Sequence, residues 1–388
     1  MFTSRNPEPA VPYWRLSGFY FAYFALLGGV APFLSLYFES LGFEPARIGE
    51  LVAIPMLMRC IAPNLWGWLG DATGQRLLIV RVGALLTALT FAGIFWRLDY
   101  WWLAAIMALH SFFWHAVLPQ FEAITLAHLG SQSSRYSQLR LWGSVGFILT
   151  VVLLGMLLQR EGMGVYPMAM LGIMLLISLC SALVPAPPQQ PAAAQEHADG
   201  FLRRLWRPGV PAFFLCVALM QLSHGPYYTF LSIHLEALGY GRGLIGALWA
   251  LGVVAEILLF LVMHRVLGVF SLRALLVASF LIASLRWVLL GTLADHLSVL
   301  IFAQILHAAT FGAFHVAAIH FVQQRFGERY QGQGQALYAT LAGVGGALGA
   351  LYSGYAWQGV GPTLTFGVAA LAALAAAVIL SLRLREAD

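Results

Sequence analysis

Five ionic side chains stand inside otherwise apolar runs of the chain: Arg59, Glu122, Arg140, Glu256 and Arg286. A charge in hydrocarbon is expensive unless it is paired or lines water, so each marks a candidate site for a polar solute or a proton. Glu122 and Arg140 flank one turn between two apolar runs, and an antiparallel helical hairpin would bring them to similar depth as an acid-base pair. Arg140, Ser144 and Phe147 follow the i, i+4, i+7 spacing of one helix face, and Gly143 and Gly146 allow a neighbouring helix to come close. His115 lies seven residues before Glu122 on the same face. In the second half Trp249 and Glu256 share a face at i, i+7, as do Gln304, His307 and Phe311 over a shorter stretch. An acid in a low-dielectric cavity that gains or loses an Arg neighbour, here Arg286, gains or loses its reason to be ionised. Glu256, Arg286 and His307 therefore read as a proton switch.

Aromatic and polar side chains could line the path of a solute: Tyr20 and Tyr23, Trp142, Tyr227 and Tyr228, Tyr338, and the stripe Gln221, His224, Tyr228. No His-Glu-x-x-His metal site, Gly-x-Ser-x-Gly elbow or Gly-rich phosphate loop is present. The three cysteines, Cys60, Cys180 and Cys216, all lie in apolar runs and read as packing residues. The expectation is binding and transport with no catalytic residue, metal or cofactor. A polytopic membrane enzyme working through His110, His115 or His307 is the rival reading, and the connections are too short to hold a catalytic domain.

These residues need elements to hold them, and the composition says which. Of 388 residues 60% are hydrophobic and 10% charged, against about 25% charged in a soluble domain. Apolar runs of helical length lie near residues 13–38, 46–68, 77–96, 101–126, 138–159 and 165–184, and again near 210–238, 243–263, 272–292, 297–323, 335–357 and 361–382. Each suits one crossing of a bilayer. The expected fold is all-α, with twelve transmembrane helices in two six-helix bundles, residues 1–184 and 209–388. Between them, residues 185–208 carry Pro185, Pro187, Pro188 and Pro191 and then Arg203, Arg204 and Arg207, and read as a cytoplasmic linker.

All 21 basic residues are Arg, and the net charge is +5. Assigned to alternate sides, the N-terminus and every second loop hold fourteen of them, from Arg5 to Arg385, while the other side holds only Arg47, Arg97, Arg160 and Arg242. Arg-rich short loops stay in the cytoplasm, which puts both termini there. The charge follows from topology and implies no nucleic-acid partner. The first run is too long to be a cleaved secretory signal and reads as the first span.

The chain also repeats itself. Shifted by 197 residues, Phe33 to Phe43 falls on Phe230 to Tyr240, and nine of 19 positions from Phe33 and Phe230 onward are identical. The same shift places Arg59 on Glu256, Arg76 on Arg273 and His110 on His307. Two parallel halves related by an axis along the membrane normal explain this economically.

The turn Gly67-Trp-Leu69-Gly70-Asp71-Ala72-Thr-Gly74-Gln75-Arg76 resembles the loop between the second and third helices of the major facilitator superfamily. The resemblance implies that Gly67, Gly70, Asp71, Gly74 and Arg76 form a gating loop, with Asp71 meeting a helix N-terminus or an Arg across the interface between halves. Arg59-Cys-Ile-Ala-Pro63-Asn64-Leu-Trp66-Gly67 and Arg140-Leu-Trp142-Gly143-Ser144-Val-Gly146-Phe147 look like the phenylpropionate permease branch, related to lactose permease and nucleoside-proton symporters. By this resemblance Glu122 and Arg140 are spaced like the sugar-binding pair of lactose permease, and Glu256, Arg286 and His307 fall on its charged or His positions. Where that protein has its proton-carrying Glu, this chain has Thr310, which leaves Glu256 and Glu122 as the intramembrane acids. The implied activity is proton-coupled symport of a small organic solute by alternating access, in a monomer of the inner membrane. Three mid-span Args against two Glus favour a small carboxylate, which agrees with the aromatic acid that the resemblance implies, bound by Glu122, Arg140, Ser144, Phe147, Arg59, Trp249, Tyr20 and Tyr228. Sugar or nucleoside transport and proton-driven export remain alternatives.

Overall fold

The computed structural model describes residues 11–187 and 199–384; Arg5, Pro188, Pro191 and Arg385 lie outside them. The described chain is helical and contains no strand. Thirteen α-helices follow in order: α1 Tyr13–Ser40, α2 Pro45–Thr73, α3 Arg76–Phe91, α4 Tyr100–Leu129, α5 Tyr136–Glu161, α6 Tyr166–Leu183, α7 Asp199–Leu205, α8 Val210–Ser223, α9 Gly225–Ala237, α10 Arg242–Val269, α11 Leu272–Thr292, α12 Leu297–Ile305 and α13 Phe314–Arg383. A π-helical turn, Ala308–Ala313, joins α12 to α13. Among the described residues nine helical stretches are long and apolar enough to cross a membrane.

Starts and stops follow local chemistry. Asp99 and Ser271 cap α4 and α11 by accepting from the backbone N–H of Trp102 and Ala274, each at 3.2 Å, and a proline opens α2, α6, α8 and α9. α13 is broken at Gly327 and Gly361, where φ is 65° and 79°, into segments 314–326, 328–360 and 362–383. Gly225-Pro226 breaks the seventh apolar run into α8 and α9, because Pro226 cannot donate to the helix ladder. Its counterpart in the first run does not break: α1 continues through Gly28, Gly29 and Pro32. Of the linker, Arg203 and Arg204 lie on α7, which Arg204 fastens to the end of the first α13 segment by donating to the Phe326 carbonyl at 2.5 Å.

Buried apolar side chains form two cores, one dominated by residues 16–184 and the other by residues 210–384. The repeat appears in how backbones touch. A Cβ on Gly146 would strike the carbonyl of Phe21, and one on Gly345 that of Ala218. A Cβ on Gly49 would come within 2.6 Å of the Ala350 carbonyl, and one on Gly246 would strike the Val151 carbonyl. In each comparison one partner is offset by 197 residues and the other by 199, so the second half gains two residues before its penultimate span. The first pair of contacts lies within each half, α1 on α5 and α8 on α13. The second pair crosses between halves, α2 on α13 and α5 on α10, as a pseudo-two-fold requires. His110 and His307 obey the same operation: each ring stacks on the aromatic ring four residues later, Trp114 at 5.8 Å and Phe311 at 5.3 Å.

One end of the molecule is sealed between halves. There Tyr355 donates to Glu50 at 2.5 Å, Gln358 to Glu44 at 3.1 Å, Arg242 to the Leu158 carbonyl at 3.1 Å and the Gly243 N–H to Gln159 at 2.9 Å. The seal runs down α2 to Cys60, whose thiol donates to the Thr340 carbonyl. Beyond it Arg59 and Asn64 are exposed.

Candidate functional site

Charged groups of the two halves lie within electrostatic reach of one another and of polar groups opposite. Arg59 comes from the middle of α2, Glu122 from α4, Arg140 from α5 and Glu256 from α10. The charge of Arg140 acts on Glu256 across the halves, and that of Arg59 acts on Tyr23 and His115 on its own side and on Tyr228, His315 and Tyr338 opposite. Arg59 makes no hydrogen bond or ion pair with the described residues.

Glu122 and Arg140 meet, though loosely. Arg140 Nε is 4.0 Å from Glu122 Oε1, and both side chains stay about one-third exposed, at 34% and 37%. Tyr136 donates to the same carboxylate at 3.0 Å, while the guanidinium lies 3.7 Å from the Phe24 ring centroid, a cation–π contact. Gly143 leaves the room for that ring. The pair can therefore open to a solute without stranding either charge. Ser144 is half-buried one turn further along α5.

Other expected contacts stand behind this surface. Tyr20 is fully buried and donates to Thr125 at 3.1 Å. Phe147 is buried at the close crossing of α5 with Gly28 of α1. Trp249 is buried, donates to Ser232 at 3.2 Å and packs on Tyr227 at 4.8 Å. These three shape and stiffen the walls. Tyr228 is half-buried and faces Arg59's field. His115 meets the Pro55 carbonyl at 3.1 Å, a satisfied helix–helix contact.

The proton-switch residues assemble differently from the sequence expectation that Arg286 neighbours Glu256. Arg286 is wholly buried and spends its donors on the Ala303 carbonyl at 2.7 Å, Gln304 at 2.8 Å, Thr310 at 3.2 Å and His307 Nδ1 at 3.3 Å. Its guanidinium also lies 4.1 Å from the Tyr227 ring centroid. Glu256 instead faces His307 Nε2 at 3.9 Å. A guanidinium can only donate, so His307 Nδ1 accepts and the ring's hydrogen sits on Nε2, toward the carboxylate. The imidazole thus stands between Arg286 and Glu256, and Thr310, inside the π-helical turn that follows, also meets Arg286.

The gating loop also differs. Asp71 pairs with Arg76 of the same loop and not across the halves, and Arg76 donates to Gln120 of α4 at 2.8 Å. Gln120 in turn donates to the Trp66 carbonyl at 3.2 Å and fills the space a Cβ on Gly70 would need. Gly74 ends α2 with φ 66°, its N–H bonded to Gly70 O at 2.9 Å, and Gly67 lies beside Gln120. Two residues, Gln120 and His315, were not distinguished by sequence pattern. Gln120 has no signal, being one neutral polar group in a long apolar run. His315 had one, since it continues the His307, Phe311 face by another four residues.

The sequence profile of the MFS_1 like family matches residues 13–368. The chain is 32% identical over 373 residues to the "Probable 3-phenylpropionic acid transporter" of Escherichia coli (strain K12), an alignment covering 94% of this chain and 95% of that protein. It is 28% identical over 383 residues to the maltose permease of Geobacillus stearothermophilus, covering 95% and 94%. Its fold superposes on the crystal structure of nucleoside transporter NupG with a TM-score of 0.82 at 19% identity, covering 95% of this chain and 97% of that one.

Proposed function

We propose a substrate class and a coupling route for this chain from the premise that it belongs to the MFS_1 like family, and is therefore a multi-pass membrane transporter of small molecules and not an enzyme. The substrate is a small aromatic carboxylate, carried with protons. The observation that carries this reading is Arg59, an exposed guanidinium without a partner among the described residues, which acts together with a loosely held Arg140 on His315. With Glu256 protonated, two cations against the Glu122 carboxylate leave positive charge for a solute to neutralise, and a guanidinium suits a carboxylate through two parallel hydrogen bonds. The relative's name, a phenylpropionic acid transporter, points the same way.

Coupling runs through Glu256. Arg140 is the charge that acts on it, and a carboxylate bound at Arg140 neutralises that charge, so the acid takes up a proton as the substrate arrives. His307, held by Arg286, offers Nε2–H to the ionised form when the substrate leaves. The reading includes twelve crossings in two bundles, residues 1–184 and 209–388, both termini in the cytoplasm of an inner-membrane monomer, and the sealed end facing outward, so that the cavity opens inward.

Proteoliposome counterflow tests the substrate class. Vesicles preloaded with unlabelled 3-phenylpropionate should accumulate the labelled acid, while preloaded maltose or uridine should not support uptake of their own labels. Uptake of a sugar or nucleoside instead would favour the second reading, in which the Glu122–Arg140 pair binds hydroxyls.

A further inference from the structure

Both guanidiniums proposed to meet the substrate belong to the first half of the chain, yet rocking of two halves around a bound solute requires the second half to hold it as well. The second half's groups in the field of Arg59 are Tyr228, His315 and Tyr338. His315 is the one of these on which both Arg59 and Arg140 act. It is exposed, and it sits in the first turn of α13, two residues past the π-helical stretch. Phe311 stacks against it nearly parallel, at 6.3 Å and 10°, so the ring is held flat on that face of the helix.

The bond to Tyr338 links the two choices open to His315: Nε2 carries the hydrogen when the hydroxyl donates to Nδ1, and is bare when it accepts. Its Nδ1 lies 3.0 Å from Tyr338 Oη, on the second segment of α13. A tyrosine hydroxyl has one hydrogen to give, and giving it to Nδ1 leaves the neutral ring's hydrogen on Nε2. Nε2 has no bond to a described protein group. With Tyr338 as the donor, His315 matches His307, where Arg286 at Nδ1 directs Nε2–H at an acid. At His307 that acid is Glu256; at His315 no carboxylate among the described residues fills the place.

We infer that His315, oriented by Tyr338, is the second half's contact for the substrate carboxylate, closing on it from the side opposite Arg59 and Arg140. This rests on the carboxylate reading above. One oxygen of the anion then meets the guanidiniums and the other accepts from Nε2–H, so the solute bridges the halves it must draw together. An ester or amide of the same acid keeps a carbonyl that accepts from Nε2–H but loses the charge that strengthens the bond.

Isothermal titration of the detergent-purified full chain with 3-phenylpropionate and with 3-phenylpropanamide tests it. His315→Ala should weaken the acid about tenfold, the effect of losing one hydrogen bond to a charged group, and weaken the amide by clearly less. His315→Gln, which keeps an N–H near the Nε2 position, should recover part of the loss, and Tyr338→Phe should weaken the acid less than His315→Ala does. If the wild type binds the acid, Arg59→Gln weakens it, and His315→Ala does not, the inference fails while the carboxylate reading stands. Equal losses for acid and amide would also overturn it, showing that His315 only shapes the cavity. If the wild type binds neither compound, the substrate reading fails, and this inference with it.

Discussion

His307 presents its Nε2 to Glu256 at 3.9 Å. Its other ring nitrogen is held by Arg286 at 3.3 Å, so the one intramembrane acid of the second half is reached by the buried guanidinium only through an imidazole. At 3.9 Å the contact is longer than a hydrogen bond. A small shift of α10 against the π-helical turn makes or breaks it.

In Glu256→Gln the side chain is permanently neutral. Counterflow of labelled 3-phenylpropionate in proteoliposomes should persist, since binding and rocking need no proton there. Accumulation driven by an imposed pH gradient should vanish. Survival of pH-driven accumulation would move the coupling acid elsewhere, with Glu122 next in line.

Substrate binding itself should take up protons. Titrating weakly buffered, detergent-purified protein with 3-phenylpropionate at neutral pH should raise the pH reported by an indicator dye, because the anion cancels the Arg140 charge acting on Glu256. The rise should be absent in Glu256→Gln at saturating ligand. Proton release in place of uptake would reverse the proposed linkage.

Arg140→Lys keeps the charge and loses the planar fork. With the Glu122 contact at 4.0 Å, the helix pair gains little from it, so expression and thermal midpoint should stay near wild type while affinity for the carboxylate falls about tenfold. Unchanged affinity would make the pair a fastener between α4 and α5.

Gly246→Ala should hold the sealed end apart, because the added methyl would strike the Val151 carbonyl. A cysteine placed at Gln159 in a background lacking the native cysteines should label faster with a membrane-impermeant maleimide in the alanine variant, and net transport should fall. Tyr355→Phe, which removes the bond to Glu50, should move labelling the same way by less. Slower labelling in either variant would contradict the proposed closure.

Residue spacing exposed the helices and the internal repeat because apolar length and self-similarity are properties of one chain read alone. The offset of 197 placed Gly49 on Gly246, and those glycines do make equivalent crossings. Partner identity was less legible. Arg286 read as a neighbour of Glu256 because the two lie in neighbouring spans, but His307 takes a donor of Arg286 on one ring nitrogen and faces Glu256 with the other. Asp71 read as reaching across the halves, yet Arg76 five residues on satisfies it first. Tyr20 and Trp249 read as lining residues because an aromatic ring with a polar tip suits a cavity wall; Thr125 and Ser232 bind those tips from inside the bundle, and neither small hydroxyl has a spacing that announces it.

The glycine crossings at the sealed end bear on the heat of the transport cycle. Where backbone meets backbone few long side chains are immobilised on closure, and each one spared avoids about 0.5–1.5 kcal/mol of lost rotamer freedom. Bringing these faces together then carries a small conformational-entropy penalty, and little drive is needed to part them again. The inward- and outward-open forms should accordingly differ by only a few kcal/mol, within reach of one bound anion's preference for either. Their populations, followed by spin-label distances across Gln159 and Gly243, should change little with temperature in the absence of solute.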